Sequence, residues 1–394
     1  MYFNSAECTW HTAVCIGHLK DYSHGGIETM KVIYLIKKGL QYYPPCLTQI
    51  LYLEELGVDL EVFHGKNSEY INQLLDTKNI KHYTFVKDRQ SRNQIDRVFN
   101  FISFSQEIKA IQRNLPKNST IWIGNLETAM TLDKELLKQS NFILNVLELY
   151  DERTIYDRWL KKMIKYASVV NCCEKHRAAI MQSRYSLKSI PFVIPNKPFD
   201  LKQDINLPLN IKNIIDEFNE KFIILYQGVI AEDRPIKKIA NALANIGDNS
   251  MAFLYMGRCD NRLFPDSLKY IYPNTYYLGY IPAPQHLAIT NRCHLGIASY
   301  DFSNLNNVFC APNKIYEYSR FGKPMLTSLN IGLTETVGAC GAAECVDFND
   351  VDEIAQGILK IKKNYKSYSA AANAFYHSVD MKKLIENVLH KLDW

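Results

Sequence analysis

The chain has 394 residues, which exceeds the ~250–300 residues at which a single hydrophobic core stops growing, so two domains are expected. A composition of 47% hydrophobic and 22% charged residues excludes a mostly disordered chain. Residues 30–195 carry 24 Lys and Arg against 17 Asp and Glu, whereas the net charge of the whole chain is +5. This basic first half suits an anionic partner, or is simply a solvated Lys- and Arg-rich surface.

Cysteine usage and hydropathy indicate the compartment. The ten cysteines are scattered and form no Cys-x-x-Cys pair, so we expect neither structural zinc nor a disulfide framework. No stretch approaches the ~18 apolar residues of a membrane span, and residues 1–29 lack the features of a secretory signal. The sequence therefore predicts a cytoplasmic protein.

Regular structure begins only at Met30. Residues 1–29 show no period, and we interpret them as a translated leader outside any domain. From Met30 onward, strands and helices alternate at short spacing, which predicts parallel strands with right-handed crossovers. The expected strands of the first half are 30–37, 59–64, 80–86, 120–124, 142–147 and 168–172, with helices at 47–56, 69–78 and 155–167. The Pro- and Asn-rich stretch 191–209 predicts an interdomain linker.

The same alternation restarts in the second half. The expected strands are 222–226, 251–256, 275–278, 294–298 and 324–327, with helices at 236–246, 284–292, 314–321, 353–362 and 380–392. The fold class is therefore α/β, with two Rossmann-like doubly wound domains, 30–195 and 196–379, facing a cleft. The last helix, within 380–394, has apolar residues at helical spacing and is expected to pack back on the first domain.

Two common nucleotide-binding loops are missing from the sequence. The loop after the first strand offers only Gly39, without a Gly-x-Gly-x-x-Gly pattern, and no P-loop occurs anywhere. These absences argue against a nicotinamide dehydrogenase or an NTPase. Ligands of doubly wound sheets bind at the carboxyl ends of the strands, so the cleft is the expected site.

Two segments of the second half suit a phosphorylated ligand. Gly228 follows the strand 222–226, where a glycine lets a phosphate approach the backbone, and Arg234 could clamp it. In the segment 311–324 (APNKIYEYSRFGKP), a helix begins near Asn313, and the free amides of its first turn can hold an anion. Glu317, one turn later, could accept hydrogen bonds from two ribose hydroxyls. The alternative is a solvated arginine and an exposed helix residue.

The segment 311–324 resembles the Pro-Asn-Lys-hydrophobic-aromatic-Glu-Tyr…Gly-Lys-Pro signature of GT-B glycosyltransferases, in particular the retaining family 4. Further pieces resemble that family in order, densely in the second half and loosely in the first: 174–178, 193–196, 226–228 with Arg234, and 278–281. By this resemblance the second domain binds a nucleotide-sugar donor, with Glu317 on the ribose. The diphosphate would be held by Gly228, Arg234, Asn313, Lys314 and Ile315.

The resemblance implies metal-independent transfer, because Arg234 would neutralise the leaving diphosphate. No cofactor is therefore expected beyond the donor substrate. Asp350-Val351-Asp352 is the chain's Asp-x-Asp, but it precedes a helix and is typical of a cap. Phe309 stands where family members often carry a sugar-contacting acid. The contact would then come from Tyr300, Asn306 or Asn307.

The acceptor side would lie in the first domain, shaped by the Gly39 loop. Glu127, Glu148 and Asp151 follow predicted strands and are candidates for acceptor contact. A retaining transfer can use the leaving phosphate as its base, whereas an inverting one needs a dedicated group, for which Glu127 is the candidate. A cap or a solvated turn is the alternative role of Glu127.

The expected function is transfer of a sugar from a nucleotide-diphosphate sugar to a glycan or lipid-linked saccharide, in surface polysaccharide biosynthesis. Residues 156–166 mix basic and aromatic side chains, which suits contact with the anionic inner face of the membrane as well as an ordinary amphipathic helix. A sugar-nucleotide epimerase of the same architecture is the nearest alternative. A polyanion-binding protein is another, although no nucleic-acid-reading module occurs and no nucleic-acid partner is expected.

Overall fold

The computed structural model describes residues 30–86, 94–150, 154–200, 207, 209–261 and 263–392. The leader predicted for 1–29 lies outside these residues. Within them, thirteen β-strands form two all-parallel sheets. The predicted fold class, two doubly wound α/β domains, is therefore confirmed. The boundaries at 195 and 379 stay predictions.

The first sheet has seven strands among the described residues, in the order β3-β2-β1-β4-β5-β6-β7. They are β1 (Lys31–Ile36), β2 (Asp59–His64), β3 (Lys81–Thr84), β4 (Thr120–Ile123), β5 (Phe142–Asn145), β6 (Val169–Cys172) and β7 (Phe192–Val193). The helices are α1 (Pro44–Glu55), α2 (Glu69–Thr77), α3 (Gln94–Arg113), α4 (Leu126–Ala129), α5 (Lys134–Lys138), α6 (Ile155–Met163) and α7 (Lys175–Tyr185), with 3-10 turns at Leu40–Tyr42 and Ile164–Tyr166.

The second sheet has six strands among the described residues, in the order β10-β9-β8-β11-β12-β13. They are β8 (Phe222–Gln227), β9 (Met251–Met256), β10 (Thr275–Tyr277), β11 (Leu295–Ala298), β12 (Met325–Ser328) and β13 (Ala343–Val346). The helices are α8 (Leu209–Asp216), α9 (Ile236–Ile246), α10 (Leu263–Ile271), α11 (His286–Arg292), α12 (Leu305–Val308), α13 (Asn313–Arg320), α14 (Ile331–Leu333), α15 (Val351–Lys363), α16 (Tyr365–Ser378) and α17 (Met381–His390), with a π-helical turn at Thr334–Gly338.

Each sheet is buried on both faces, and β1 shows how the sequence achieves this. Its run of β-branched and large apolar residues leaves no polar face: Val32 and Tyr34 pack into one hydrophobic cluster, and Ile33 and Leu35 into the other. The first cluster includes residues of α1, α2 and α17, and the second includes residues of α3, α6 and α7. Two helical layers therefore cover the sheet, as parallel sheets require.

The strand orders create one switch point in each sheet. The order reverses between β1 and β4 in the first sheet and between β8 and β11 in the second. At such a point the loops leave the sheet toward opposite faces and open a crevice at the carboxyl ends of the strands. The loops after β1, β8 and β11 contain Gly39, Gly228, Arg234 and Tyr300. Helices α4 and α13, which come after β4 and β11 along the chain, contain five more of the predicted site residues: Glu127, Asn313, Lys314, Ile315 and Glu317.

The chain passes between the two domains twice, and Lys197 of the first crossing makes hydrogen bonds to the second crossing. The buried Lys197 Nζ donates to the carbonyl oxygens of Tyr376 and Val379 at 2.6 and 2.8 Å and lies 3.9 Å from the centroid of the Tyr376 ring. It thereby satisfies carbonyls at the carboxyl end of α16. Beyond this point α17 packs on the first sheet, in the arrangement expected from its apolar spacing.

Two further sequence interpretations concern helices. Asp350 is the N-cap of α15, where its carboxylate accepts from the amides of Asp352 and Glu353, so the capping interpretation of this Asp-x-Asp is confirmed. No helix among the described residues combines the length and the apolar character that crossing a membrane demands.

Candidate functional site

The glycines after β8 and β9 leave the backbone bare at the second switch point. Gly228 has φ +150°, a conformation that favours glycine. Gly257, with φ +146°, packs so tightly against it that a Cβ at Gly257 would lie 1.6 Å from the Gly228 carbonyl oxygen. A side chain at Gly257 would therefore collide with the Gly228 backbone, and the Gly228 backbone itself has no side chain of its own to cover it.

Lys314 brings a positive charge to this bare backbone. Its Nζ lies 3.0 Å from where a Gly228 Cβ would stand, and 5.6 and 5.7 Å from the ring centroids of Tyr226 and Tyr300. Burial lowers the pKa of Lys314 to about 8, against the opposing charge of Glu317. The ammonium therefore lies beside the strand tip without a fully compensating partner, where an anionic ligand would stabilise it.

Arg234 adds a second cation. It lies in the loop between β8 and α9, with its Nε 3.7 Å from the Asp233 carboxylate. This Nε is buried and has no hydrogen-bond partner within the part of the chain that the structure describes. A buried donor without an acceptor is costly, so the guanidinium is well placed to bind an oxyanion.

The first turn of α13 contributes backbone donors. Pro312 occupies the N-cap position, and no side chain caps this helix among the described residues. Asn313 is half-buried, whereas the Ile315 side chain lies in the hydrophobic core, so Ile315 can offer only its amide. The structure thus brings Asn313, Lys314 and Ile315 to the same switch point as Gly228, and the loop after β11 adds Tyr300.

Glu317 lies near Lys314, and its carboxylate is held in one orientation by its neighbours. Its Oε2 accepts from Gln227 Nε2 at 2.6 Å, and its Oε1 is 3.4 Å from His286 Nε2. Thr290 donates in turn to Gln227 Oε1 at 3.1 Å. The carboxylate is only 14% exposed, so it is not the exposed helix residue of the alternative interpretation.

The surroundings keep Glu317 ionised. Burial alone would raise the pKa of its carboxyl, but the hydrogen bond and charge of His286, with Lys314 and Gln227, outweigh this and hold the pKa below its usual range. A charged, oriented acceptor next to the strand tip is the arrangement that a vicinal diol requires.

At the first switch point, Glu127 forms ion pairs with two lysines. Its Oε1 lies 2.9 Å from Lys37 Nζ and its Oε2 lies 3.4 Å from Lys38 Nζ. Burial would raise the pKa of Glu127, but these two cations lower it. A carboxylate with a lowered pKa is a weak proton acceptor. The geometry therefore suits an ion-pair role better than the catalytic-base role predicted for Glu127. Gly39 begins the loop after Lys38, packed against the Lys66 carbonyl oxygen.

Glu148 is the acceptor-side carboxylate whose pKa is raised. It follows β5, has a 57% exposed side chain, and its Oε2 is 3.9 Å from Arg177 Nη1. Desolvation raises the pKa of Glu148, against the pull of Arg177, and its charge contributes to the raised pKa of Tyr150. The third acceptor-side candidate, Asp151, lies outside the described residues.

The two asparagines proposed for sugar contact are already engaged. Asn306 exchanges two hydrogen bonds with the backbone of Leu149, and Asn307 Nδ2 donates to Asp301 at 2.8 Å. Of the residues considered for the donor sugar, Tyr300 has its ring centroid 5.7 Å from Lys314 Nζ.

Sequence reasoning missed three groups of this site. Gln227 was visible as the residue before Gly228 but carried no assigned role. His286 comes from α11, and no motif marks it. Arg177 comes from α7 and lies in the resembling segment 174–178, but it carried no assigned role. They reach the site only through the packing of separate elements.

No family model and no curated protein sequence matches this chain. Solved structures, however, share its fold. HepE of Anabaena in complex with UDP and glucose has a TM-score of 0.67 at 14% identity, over 92% of this chain and 99% of that one. A glycosyltransferase from Rickettsia africae has a TM-score of 0.65 at 12% identity, over 92% and 98%. A candidate UDP-N-acetylglucosamine 2-epimerase of Listeria monocytogenes has a TM-score of 0.62 at 12% identity, over 92% and 95%.

At these identities the likeness establishes the fold, and the chain has the GT-B architecture predicted from its sequence. The same fold carries more than one activity, so the function has to be argued from the site.

The pKa of Lys314 predicts a pH dependence of diphosphate binding. With a pKa of about 8 the side chain is charged below pH 8, and a bound diphosphate would raise that pKa. Affinity should therefore be full near pH 7 and fall about tenfold by pH 9, as the charged fraction drops. Calorimetry of a nucleoside diphosphate across this range measures it. An equal pH dependence in Lys314→Met would contradict the assignment.

Proposed function

We propose that this protein is a metal-independent glycosyltransferase of the family 4 type, which transfers a sugar from a nucleotide-diphosphate sugar without a further cofactor. The observation that carries the proposal is the oriented, 14% exposed Glu317 side chain near Lys314, together with Arg234 and the Gly228 backbone. One group suits a ribose and the others suit a diphosphate. Because the GT-B structure of HepE was solved with UDP and glucose, UDP-glucose is the first donor to test.

The acceptor is proposed to be a glycan or lipid-linked saccharide of surface polysaccharide biosynthesis, bound against the first domain. Glu148, at the end of β5, would contact the acceptor hydroxyl. The pKa of Glu148 is raised whereas that of Glu127 is lowered, so Glu148 suits the role of proton acceptor better. If the transfer is retaining, the leaving phosphate can serve as the base, and Glu148 would then orient the acceptor.

A thermal-shift panel of nucleotides and nucleotide sugars tests the donor site, followed by product analysis with the tightest binder. We expect a uridine or related nucleoside diphosphate to raise Tm, and its sugar to be transferred to an added saccharide. A panel in which no nucleotide shifts Tm would refute the proposed donor site.

The epimerase alternative is favoured by the likeness to the candidate epimerase of Listeria monocytogenes. An epimerase would convert the nucleotide sugar without any acceptor. Incubating the donor alone and analysing the sugar by chromatography separates the two functions: an epimerised nucleotide sugar supports the alternative, and an unchanged donor supports the transferase.

We propose further that helix α6 and the 3-10 turn Ile164–Tyr166 that follows it face an anionic membrane. Trp159 and Leu160 are buried against the sheet, while Lys162, Lys165 and Tyr166 point to solvent. Lys165 Nζ lies 5.4 Å from the Tyr166 ring centroid, and Lys138 approaches the same ring to 5.4 Å. An exposed ring between cations suits the interface of an anionic bilayer. Tyr156 of this helix stacks on Tyr150 with ring centroids 4.8 Å apart, so a lipid-linked acceptor could reach the cleft from this surface.

Charge reversal tests this membrane face. Each lysine near an anionic surface contributes about 1 kcal/mol, so Lys162→Glu with Lys165→Glu should weaken binding to phosphatidylglycerol vesicles by at least about tenfold. Lys382→Glu with Lys383→Glu is the matched control, since these exposed lysines lie on α17, on the opposite face of the same sheet. Equal losses in both variants, measured by co-sedimentation, would show a general charge effect and contradict the proposal.

A further inference from the structure

One buried arginine joins the two domains across the cleft. Arg177, in the first turn of α7, is 5% exposed. Its Nη1 donates to the Leu147 carbonyl at 2.6 Å, within its own domain. Its Nε donates to the Phe309 carbonyl at 2.8 Å and its Nη2 to the Asn306 carbonyl at 2.9 Å, both in the second domain. A planar guanidinium is suited to hold three fixed acceptors at once.

Asn306 makes the same connection in the opposite direction. Its Oδ1 accepts from the Leu149 amide at 2.6 Å, and its Nδ2 donates to the Leu149 carbonyl at 2.9 Å. This pairing resembles one rung of a β-ladder, formed between a side chain of α12 and the segment after β5. Together with Arg177 it makes four hydrogen bonds between the domains.

The two segments joined in this way are those of the candidate site. Residues 147–150 carry Glu148 on the acceptor side, and residues 299–309 carry Tyr300 on the donor side. Phe309, where the resembled family often has an acid, stacks on His176 with ring centroids 5.3 Å apart and offers its carbonyl to Arg177. This position therefore contributes to the contact between domains.

We propose that Arg177 is a positioning residue: it fixes the segment that carries Glu148 against the segment that carries Tyr300, and so sets the distance between acceptor and donor. The proposal rests on the proposed function for its effect on transfer. Its structural part, that Arg177 holds the Leu149–Asn306 pairing closed, can be tested separately. A lysine at this position keeps the charge but cannot reach three separate carbonyls.

The experiment compares Arg177→Met and Arg177→Lys with Arg184→Met. Arg184 is the matched control, because it lies on the same helix and donates to the Tyr150 carbonyl of the same segment, at 2.7 Å, without reaching the second domain. The first readout is hydrogen exchange of the Leu149 amide, and the second is kcat beside the Kd for UDP. Circular dichroism and Tm establish that each variant folds. If Arg177→Met does not fold, Arg177→Lys alone is compared with Arg184→Met.

We expect both Arg177 variants to speed exchange at Leu149 by about tenfold or more. Their kcat should fall at least about tenfold, with the Kd for UDP within about twofold, since the donor contacts lie in the second domain. Arg184→Met should change none of these values. Unchanged exchange at Leu149, or equal effects of Arg184→Met, would overturn the proposal. Faster exchange at Leu149 with no transferase activity even in the wild type would support the positioning role and refute the proposed function instead.

Discussion

Replacing Glu317 by Ala is expected to weaken nucleoside and nucleotide-sugar binding alike. The change removes the charged acceptor proposed for both ribose hydroxyls, and hydrogen bonds to charged groups contribute about 1.5–3 kcal/mol each. A loss of two such bonds corresponds to a fall in affinity of about a hundredfold or more. Titration calorimetry with uridine, UDP and the donor measures this loss. Glu317→Gln should retain part of the affinity, because the amide keeps one acceptor oxygen.

Arg234→Ala provides the contrast. Its guanidinium lies in the β8–α9 loop, where its charge acts to lower the pKa of Lys314, and it is proposed to hold the diphosphate. Only phosphorylated ligands should therefore bind more weakly, by about tenfold or more. Uridine affinity should be unchanged. If Glu317→Ala binds uridine as the wild type does, the ribose assignment is wrong; if Arg234→Ala weakens uridine and UDP equally, the diphosphate assignment is wrong.

Gly257→Ala is expected to cost the most stability of any single methyl addition considered for this chain. A Cβ there would lie 1.6 Å from the Gly228 carbonyl oxygen, and φ is +146°. Backbone strain and overpacking each cost about 1–3 kcal/mol, so the free energy of unfolding should fall by about 3 kcal/mol or more. Because the Gly228 backbone must move, UDP affinity should be lost as well.

Gly279→Ala is the matched control for this prediction. Gly279 also has a positive φ, +78°, but among the described residues no atom beyond its chain neighbours lies within 4 Å of where its Cβ would stand. Its cost should be limited to the strain of a left-handed residue, about 1–2 kcal/mol. Urea denaturation of both variants provides the measurement. Equal destabilisation of the two variants would show that the Gly228 backbone moves aside at little cost in free energy, and would contradict the prediction.

The strands were largely predictable because most of them are short apolar runs between turn signals. The boundaries predicted for 59–64 and 251–256 agree with β2 and β9, and Gly57, with φ +77°, follows α1 as a terminating glycine should. β13 (Ala343–Val346) was not predicted, since its sequence AECV is short and half-buried. Its pairing with β12 places it in the sheet.

Several helices escaped sequence analysis for a related reason. α3 (Gln94–Arg113) has apolar residues distributed around the helix, so it shows no single apolar stripe. α7 (Lys175–Tyr185) is strongly polar, and three of its eleven residues are buried, Arg177 among them. Packing against the rest of the domain stabilises both helices, and periodicity does not report such packing.

The residues of the candidate site also differ in how far the sequence alone reveals them. Glu317, Lys314 and Gly228 belong to local patterns of strand tip and helix start, which a sequence displays directly. The residues that orient Glu317 are distant from one another along the chain. Gln227 lies 90 positions before Glu317 and 63 positions before Thr290, and it contacts both. Only the fold reveals that such residues meet.

The return of α17 to the first domain has a consequence for the order in which the protein folds. Met381, Ile385, Val388 and Leu389 are at most 2% exposed and share a cluster with Val32 and Tyr34, some 350 positions earlier in the chain. During synthesis the first domain emerges with this layer uncovered, although domains usually fold as they leave the ribosome. We therefore expect the first domain to complete its core only after translation of the second, so that both domains reach the native state together.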